Sequence, residues 1–357
     1  SYDLRSIGDF DRGAFDEVPN EVLAVSAPVL RRASHPGVPS VATQPTPLAD
    51  KSYDRQRTNR KRAAVLAQVG RYEFDPKGFA VIEGEPIVYW WSKEFLERYA
   101  AAPKLGVLAP VRQGLGTRDD VRFLRRAPEV RVHDLARIPF DGELPDRLVW
   151  VPNVKGAAGR VWIEPLTDIV LWRHGAIELR TWIEEYRKRA PGQYIKNERF
   201  YFDRGIAFVM IGAEFSARGH RFRSVFGEKG SSVFPADFGG TLCSMNGTFA
   251  RRVLEGLNPT VSFQVGDVVR LPIEHIAEGD AIHHTIERAF TEHESHREPS
   301  VEFRTPGPSP WRYAQDWAQR AVDRPDGDPL PPYEPEYDPP APEAFVSFGI
   351  GVALGRF

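Results

Sequence analysis

The sequence predicts an α/β chain of the mixed α+β kind, and three observations carry that prediction. Short β-like apolar runs alternate with stretches of helical periodicity, but without the regular order of a doubly wound sheet. Thirty glycines and 31 prolines punctuate those runs, as expected where many short elements are joined by turns. A hydrophobic share of 41% with 27% charged residues suits a chain with a core and excludes a disordered or collagen-like one. No apolar run approaches the roughly 18 residues of a membrane span. Cys243 is the single cysteine, so neither an intramolecular disulfide nor a cysteine-based zinc site can form. The cytoplasm is the expected compartment. Residue 1 is Ser and the last residues, Gly355-Arg356-Phe357, interrupt an apolar pattern, so a piece of a longer protein is expected.

Taken in order, Leu4–Gly8 and Val22–Leu30 read as strands, separated by a loop with Gly13, Pro19 and Asn20. Two strands make no domain, so they are expected to complete a larger sheet. Residues 34–49, rich in Pro, Ser and Thr, read as a linker. Lys51–Arg62 then holds six basic residues against one acid. Arg71–Ile87 reads as a strand and a turn around Pro76-Lys77-Gly78, and Ser92 caps a helix reaching Ala101. Beyond Pro103, Arg147–Val151, Arg160–Ile163, Ile206–Ile211 and Val265–Leu271 read as strands. Ile177–Arg189, Phe249–Leu257 and His275–His296 read as helices. Pro325–Pro342, with eight prolines, excludes regular structure. Ala344–Ile350 begins another apolar element.

The net charge of −2 hides an asymmetry: residues 1–273 hold 40 Lys/Arg and 33 Asp/Glu, residues 274–345 only 6 and 16. A basic front and an acidic tail point to a polyanion-binding surface in the first part. Its most distinctive stretch is Gly114-Leu115-Gly116-Thr117-Arg118-Asp119-Asp120-Val121-Arg122-Phe123. Two glycines allow tight turns, while Arg112, Arg118, Arg122, Arg125 and Arg126 offer cationic forks for phosphate or guanine. A surface hairpin is the plainer reading. The stretch is neither a phosphate-binding P-loop nor a dinucleotide fingerprint. A second basic zone, Arg187 to Lys229, holds ten Lys/Arg and four acids interleaved with Tyr194, Phe200, Tyr201, Phe215 and Phe222. That mixture suits a nucleic-acid groove, or else a core of aromatics under a solvated basic face.

Four histidines, His283, His284, His293 and His296, fall in the same helical stretch as Glu287, Glu292 and Glu294. With no HExxH pattern, they read as an acidic, solvated helix, and no metal is expected. Cys243 lacks a visible activating partner, and no G-x-S-x-G elbow occurs. Two near-matches to the Asn/Asp-Pro-Pro-Tyr/Phe motif of adenine-N6 methyltransferases fail. Asp338-Pro339-Pro340-Ala341 lacks the aromatic that stacks on a flipped base, and Leu330-Pro331-Pro332-Tyr333 lacks the polar acceptor.

Several phrases together resemble the adenine methyltransferases of BREX phage resistance (PglX type), which are related to type IIG restriction–modification enzymes. Gly13–Val18 followed by Leu23–Leu30 resembles the segment after that family's catalytic strand, and Pro86-Ile87-Val88-Tyr89-Trp90 its connector. Gly114–Phe123 resembles its Gly-Leu-x-Thr-Gly-Asp-Asn-x-x-Phe signature, with Arg118 in place of the Gly and Asp120 in place of the Asn. Gly230-Ser231-Ser232-Val233-Phe234-Pro235 is similar to its Gly-Ser-Ser-x-Phe block. Leu257–Asp267 with Leu271-Pro272-Ile273 is similar to its closing segment, and also to the end of type I specificity-subunit domains. Phe348–Phe357 resembles the start of the segment that follows.

The resemblance implies the last strands of a Rossmann-like methyltransferase sheet (with a linker, 1–48), a connector (49–100) and a target-recognition domain of mixed α+β fold (101–275). An acidic, Pro-rich segment (276–344) and the start of a further element (345–357) would follow. It implies a site-specific adenine-N6 DNA methyltransferase using S-adenosylmethionine in the full-length enzyme, with the Gly-rich cofactor motif and Asn-Pro-Pro-Tyr upstream of Ser1. No catalytic or cofactor residue is then expected here. Duplex DNA is the expected partner, with the upstream half of the same protein and other phage-defence proteins. Arg57 and Lys61 are expected on phosphates. Gly114, Gly116, Thr117, Arg118, Asp119, Asp120, Arg122 and Arg125 are candidates for DNA contact at the first loop. Lys196, Asn197, Arg199, Arg218, Arg221, Arg223, Ser231, Ser232 and Asn258 are the candidates beyond it. Two other readings stay open: a stand-alone DNA-binding specificity module without catalysis, and a protein-interaction module of a defence complex.

Overall fold

The computed structural model describes residues 3–12, 14, 24–32, 38–45, 57–156, 161–212, 214–258 and 262–356, the side chains of residues 11, 12, 57, 58 and 60 excepted. The chain is mixed α+β and divides into two compact units, Ser1–Ala101 and Ala102–Phe357.

In the first unit four strands, β1 (Asp3–Arg12), β2 (Ala24–Arg31), β3 (Ser40–Thr43) and β4 (Arg71–Phe74), form one sheet in the order β2-β1-β3-β4. Strands β1 and β2 are antiparallel, with Leu4 opposite Leu30; β1 and β3 are parallel, with Ile7 opposite Ala42. The expected linker therefore contains a strand. Ser-Val-Ala-Thr is short and weak in strand signal, yet Ser40 and Ala42 are fully buried and Ser40 Oγ donates to the Leu4 carbonyl at 2.5 Å. Tertiary pairing overrides its local composition. Helix α1 (Arg57–Leu66) and a 3-10 turn (Pro76–Val81) flank β4 in the chain. Helix α2 (Lys93–Ala101) starts as its sequence predicts, the Phe95 amide donating to Ser92 Oγ at 3.2 Å. Aromatic pairs fill this unit: Phe74 stacks on Phe79 with centroids 5.6 Å apart, and Trp91 meets Tyr99 at 5.7 Å. The resemblance segment 13–18 lies outside the described residues, Ala14 excepted.

Among the described residues the second unit has nine short strands: β5 (Val111–Arg112), β6 (Leu124–Arg126), β7 (Trp150–Val154), β8 (Trp162–Ile163), β9 (Asp168–Leu171), β10 (Ile206–Phe208), β11 (Ala217–Gly219), β12 (Val225–Phe226) and β13 (Ser232–Val233). They form two mixed sheets, β5-β13-β10-β11-β8 and β12-β7-β9-β6. Central β10 is buried on both faces, which its uninterrupted Ile206-Ala207-Phe208 run dictates. Phe123, Val170, Trp172, Leu179, Ile183, Tyr201 and Phe226 belong to one continuous core.

Nine helices follow α2 in chain order: α3 (Leu105–Leu108), α4 (Asp120–Phe123), α5 (Arg173–Arg189), α6 (Phe238–Asn246), α7 (Thr248–Leu257), α8 (Val265–Val268), α9 (Gly279–His296), α10 (Trp311–Val322) and α11 (Pro342–Ala353) among the described residues. Within α5, His174, Gly175 and Ala176 have left-handed dihedrals, so regular helix begins near Ile177, where the sequence starts it. The expected strand Val265–Leu271 is instead the short helix α8. The reciprocal cap between Gln264 and Asp267, whose carboxylate accepts the Gln264 amide at 2.9 Å, wins over the alternating pattern.

Every residue of helix α6 is buried, its polar Thr241, Ser244 and Asn246 included, where it packs against α9 and α10. At its start Asp237 accepts the Gly240 amide at 3.0 Å. At its end Asn246 completes β11, bonding the Ala217 amide at 2.9 Å and carbonyl at 3.0 Å. Gly239 and Gly279 let α6 and α9 touch: a Cβ on Gly279 would stand 2.6 Å from the Gly240 nitrogen. Helix α9 is thus not the solvated appendage its charges suggest, because Ile282, Ile286 and Phe290 bury one face. Before Pro342 the Pro-rich stretch forms no helix or strand beyond an isolated bridge from Ser309 to Asp338, and its Pro331 carbonyl accepts from Trp317 Nε1 at 3.0 Å. No helix among the described residues is long and apolar enough to cross a membrane.

Candidate nucleic-acid interface

The distinctive Gly-Leu-Gly-Thr stretch is laced into its neighbours by main-chain bonds. Leu115 donates to the Phe226 carbonyl at 2.8 Å, Glu228 donates back to Leu115 at 3.0 Å, and Gly116 donates to Tyr194 at 2.8 Å. Gly114 is obligatory for space, because a Cβ there would lie 1.8 Å from the Phe226 carbonyl oxygen. Gly230 is required likewise, 2.2 Å from the Val154 oxygen. Three chain segments, 113–120, 194–199 and 227–230, are thereby bound side by side, with Lys155 next to them.

Side chains at this junction hold one another. Buried Thr117 bonds Asp120 through its hydroxyl, and Trp182 Nε1 donates to the Thr117 carbonyl at 3.1 Å. Asp119 caps α4 by accepting the Arg122 amide at 3.1 Å. Lys155 Nζ lies 2.7 Å from Asp120. Burial alone would raise the Asp120 carboxyl, but the bonds from Lys155 and Thr117 and the charges of Lys155 and Lys229 outweigh it and hold it below the usual carboxylate value. Glu228 accepts from Arg118 at 2.6 Å and from Lys196 at 3.1 Å. Lys196 also reaches Gln113 Oε1 at 2.8 Å, and Asn197 Nδ2 donates to the Gln113 carbonyl at 2.9 Å. Arg118 lies over the Tyr194 ring at 4.4 Å. Arg112 and Arg199 both approach Phe200, at 5.7 and 4.7 Å. Six cations, Arg112, Arg118, Lys155, Lys196, Arg199 and Lys229, thus share one junction with the carboxylates of Asp119, Asp120 and Glu228, and all six are partly or fully exposed.

Arg118 occupies a left-handed conformation with φ 58°. Glycine adopts that conformation without strain, and the resembling signature has Gly there.

The remaining candidates are placed otherwise. Arg122 pairs with Glu178 at 2.9 Å, and Arg125 donates to the Val121 and Leu124 carbonyls, both at 2.6 Å. Arg218, Arg221 and Arg223 do not form the base-reading loop expected of them. Arg218 is 0% exposed and ion-paired with Glu164 at 2.5 Å. Arg221 holds Glu302 at 2.6 Å, and Arg223 donates to the carbonyls of Phe140, Gly142 and Phe202. Their guanidinium groups serve the fold. Ser231 and Ser232 are fully buried, bonding the Glu228 carbonyl at 3.1 Å and the Gly230 carbonyl at 2.9 Å. Behind them His220, 3.1 Å from Ser232, is pushed down to about 3 by burial and by the charge of Arg218, and is neutral. Asn258 closes its own loop onto Ser262 at 2.6 Å and Asp267 at 2.7 Å; residues 259–261 of the closing motif lie outside the described residues. In the first unit Lys61 is buried and donates to the Phe10 carbonyl, and the Arg57 side chain lies outside the described residues.

Lys155, Lys229, Gln113 and Glu228 are the residues that sequence reading does not single out. The signal for Lys155 is indirect: it precedes Gly156 after a strand whose carbonyl crowds Gly230. The sequence contains neither G-x-G-x-x-G nor Asn-Pro-Pro-Tyr.

No protein-family profile matches the chain. It is 26% identical over 285 residues to the adenine-specific methyltransferase PglX of Lacticaseibacillus casei (strain Zhang), covering 76% of this chain and 23% of that protein. It is 29% identical over 202 residues to the adenine-specific methyltransferase BrxX of Escherichia coli O9:H4 (strain HS), covering 55% of this chain and 15% of that protein. The chain therefore matches less than a quarter of the length of these relatives.

Proposed function

We propose, from the premise that this chain is a relative of the PglX-type adenine-specific methyltransferases, that it is the target-recognition part of such an enzyme. The observation that carries this reading is the convergence of six cations, Arg118 among them, with Gln113 and Asn197 on one partly exposed junction. Lysines and arginines of such a face bind phosphates of duplex DNA and fix its register. Arg118, Gln113 and Asn197 have the chemistry to read base edges, arginine on guanine and the amides on adenine. Transfer of a methyl group from S-adenosylmethionine to adenine N6 belongs, in this reading, to another part of a longer cytoplasmic phage-defence protein. The isolated chain then binds DNA without methylating it.

Anisotropy titrations of labelled duplex at two salt concentrations test this, with Lys196→Ala and Arg199→Ala as variants. Each substitution should weaken binding and shallow the log–log salt slope by about one unit. Salt-independent affinity, or no binding at low salt, would sink the nucleic-acid reading. Incorporation of labelled methyl groups by the chain alone would place the chemistry here after all.

A further inference from the structure

One turn of α9 brings three donor atoms together away from the cationic junction. Glu287 Oε2 lies 4.0 Å from His283 Nδ1 and 3.9 Å from His284 Nδ1, and all three lie within 4.8 Å of one another. His283 is 1% exposed, and its Nδ1 is buried without a hydrogen-bond partner. A buried polar atom left unpaired calls for an explanation, an unseen ion among them. Among the described residues no other group of three or more His, Cys, Asp or Glu side chains is arranged to hold a metal.

We propose that His283, His284 and Glu287 bind a divalent transition-metal ion. Two imidazoles and one carboxylate suit zinc and its neighbours rather than magnesium or calcium. Bonds of about 2.0–2.2 Å require donors roughly 3.3 Å apart in a tetrahedral site, so the cluster must contract by less than about 1.5 Å. His284 and Glu287 can supply that movement, their side chains being 66% and 34% exposed. His283 is the fixed donor, held edge-on to Phe238 with ring centroids 5.0 Å apart. The positive charge of Arg204 also acts on this imidazole. The Arg204 charge opposes a cation there, and the Glu287 carboxylate offsets it. Three donors from one helix leave the remaining coordination positions to water.

Calorimetric titration of chelator-treated full chain with zinc alone tests the site, using His284→Ala and Glu287→Gln because both alter exposed groups and spare the core. The expected result is one zinc per chain, bound at least roughly tenfold more weakly by either variant, with far-UV circular dichroism unchanged. His133→Ala, exposed and remote in sequence, should bind like the parent. Equal zinc affinity in the parent and both variants, or no binding at about a hundredfold excess of zinc, would overturn the proposal. Neither outcome bears on DNA binding.

Discussion

Arg118 pairs with Glu228 from a left-handed backbone, so its two substitutions separate conformation from charge. Arg118→Gly relieves backbone strain of roughly 1–2 kcal/mol while giving the unfolded chain more freedom. Its urea midpoint should therefore stay close to the parent's, whereas DNA affinity falls. Arg118→Ala keeps the strain, loses the same cation and should be the less stable of the two. Arg218 behaves differently, because removing it strands the Glu164 carboxylate, 11% exposed, without its partner. Arg218→Ala should cost roughly 3–5 kcal/mol in urea unfolding, and any DNA-binding loss in that variant reports unfolding. The buried histidines set the acid side of the stability profile. His220 and His283 are held near 3 in the folded chain, against 6.5 for a free imidazole. Their contribution is complete above about pH 6.5 and is lost as pH falls towards 3. Burial would raise Glu294, but its bonds from Arg297 keep it below the ordinary 4.5, so its contribution fades only at lower pH. In metal-free buffer the urea midpoint should therefore decline between pH 6.5 and 5, and a flat profile would contradict these environments.

Elements with strong local signals were legible in the sequence. The helix from Ile177, the Ser92-capped α2 and the apolar start of α11 stand where periodicity and capping put them. Strand β3 was hidden because its evidence lies in its pairing with β1 rather than in Ser-Val-Ala-Thr. Helix α8 was hidden because a single reciprocal cap decides so short an element. At the candidate interface, Arg118, Lys196 and Arg199 were readable as basic residues among aromatics. The inward direction of Arg218, Arg221 and Arg223 was not, since their partners Glu164, Glu302 and Phe140 are far off in sequence. The same limit applies to the acidic segment. Composition invites its removal as a repulsive tail, yet α9 and α10 cover α6. Deleting residues 274–357 should uncover the face of α6 that carries Gly239 and Cys243, against which α9 packs, and give an aggregating chain without a cooperative melt, rather than a tighter DNA binder. Circular dichroism and light scattering would show which occurs.

At the scale of the whole molecule, net charge understates how unevenly charge is placed, and salt dependence measures that placement. Neutralising about five phosphates would give a log–log salt slope near −4 to −5. The junction, however, holds its cations against carboxylates of its own, Arg118 and Lys196 on Glu228 and Lys155 on Asp120. In the proposed DNA-binding reading those carboxylates occupy, in the free protein, the position a phosphate would take, so each exchange of Glu228 for DNA leaves one acid in need of a new counter-charge. Fewer ions are then liberated overall than a count of lysines and arginines suggests, and the observed slope should be shallower. Glu228→Gln removes the stand-in while keeping its shape. Such a variant should bind duplex more tightly, most of all at low salt, and discriminate less against scrambled sequence, because a cation no longer held in reserve settles on any backbone it meets.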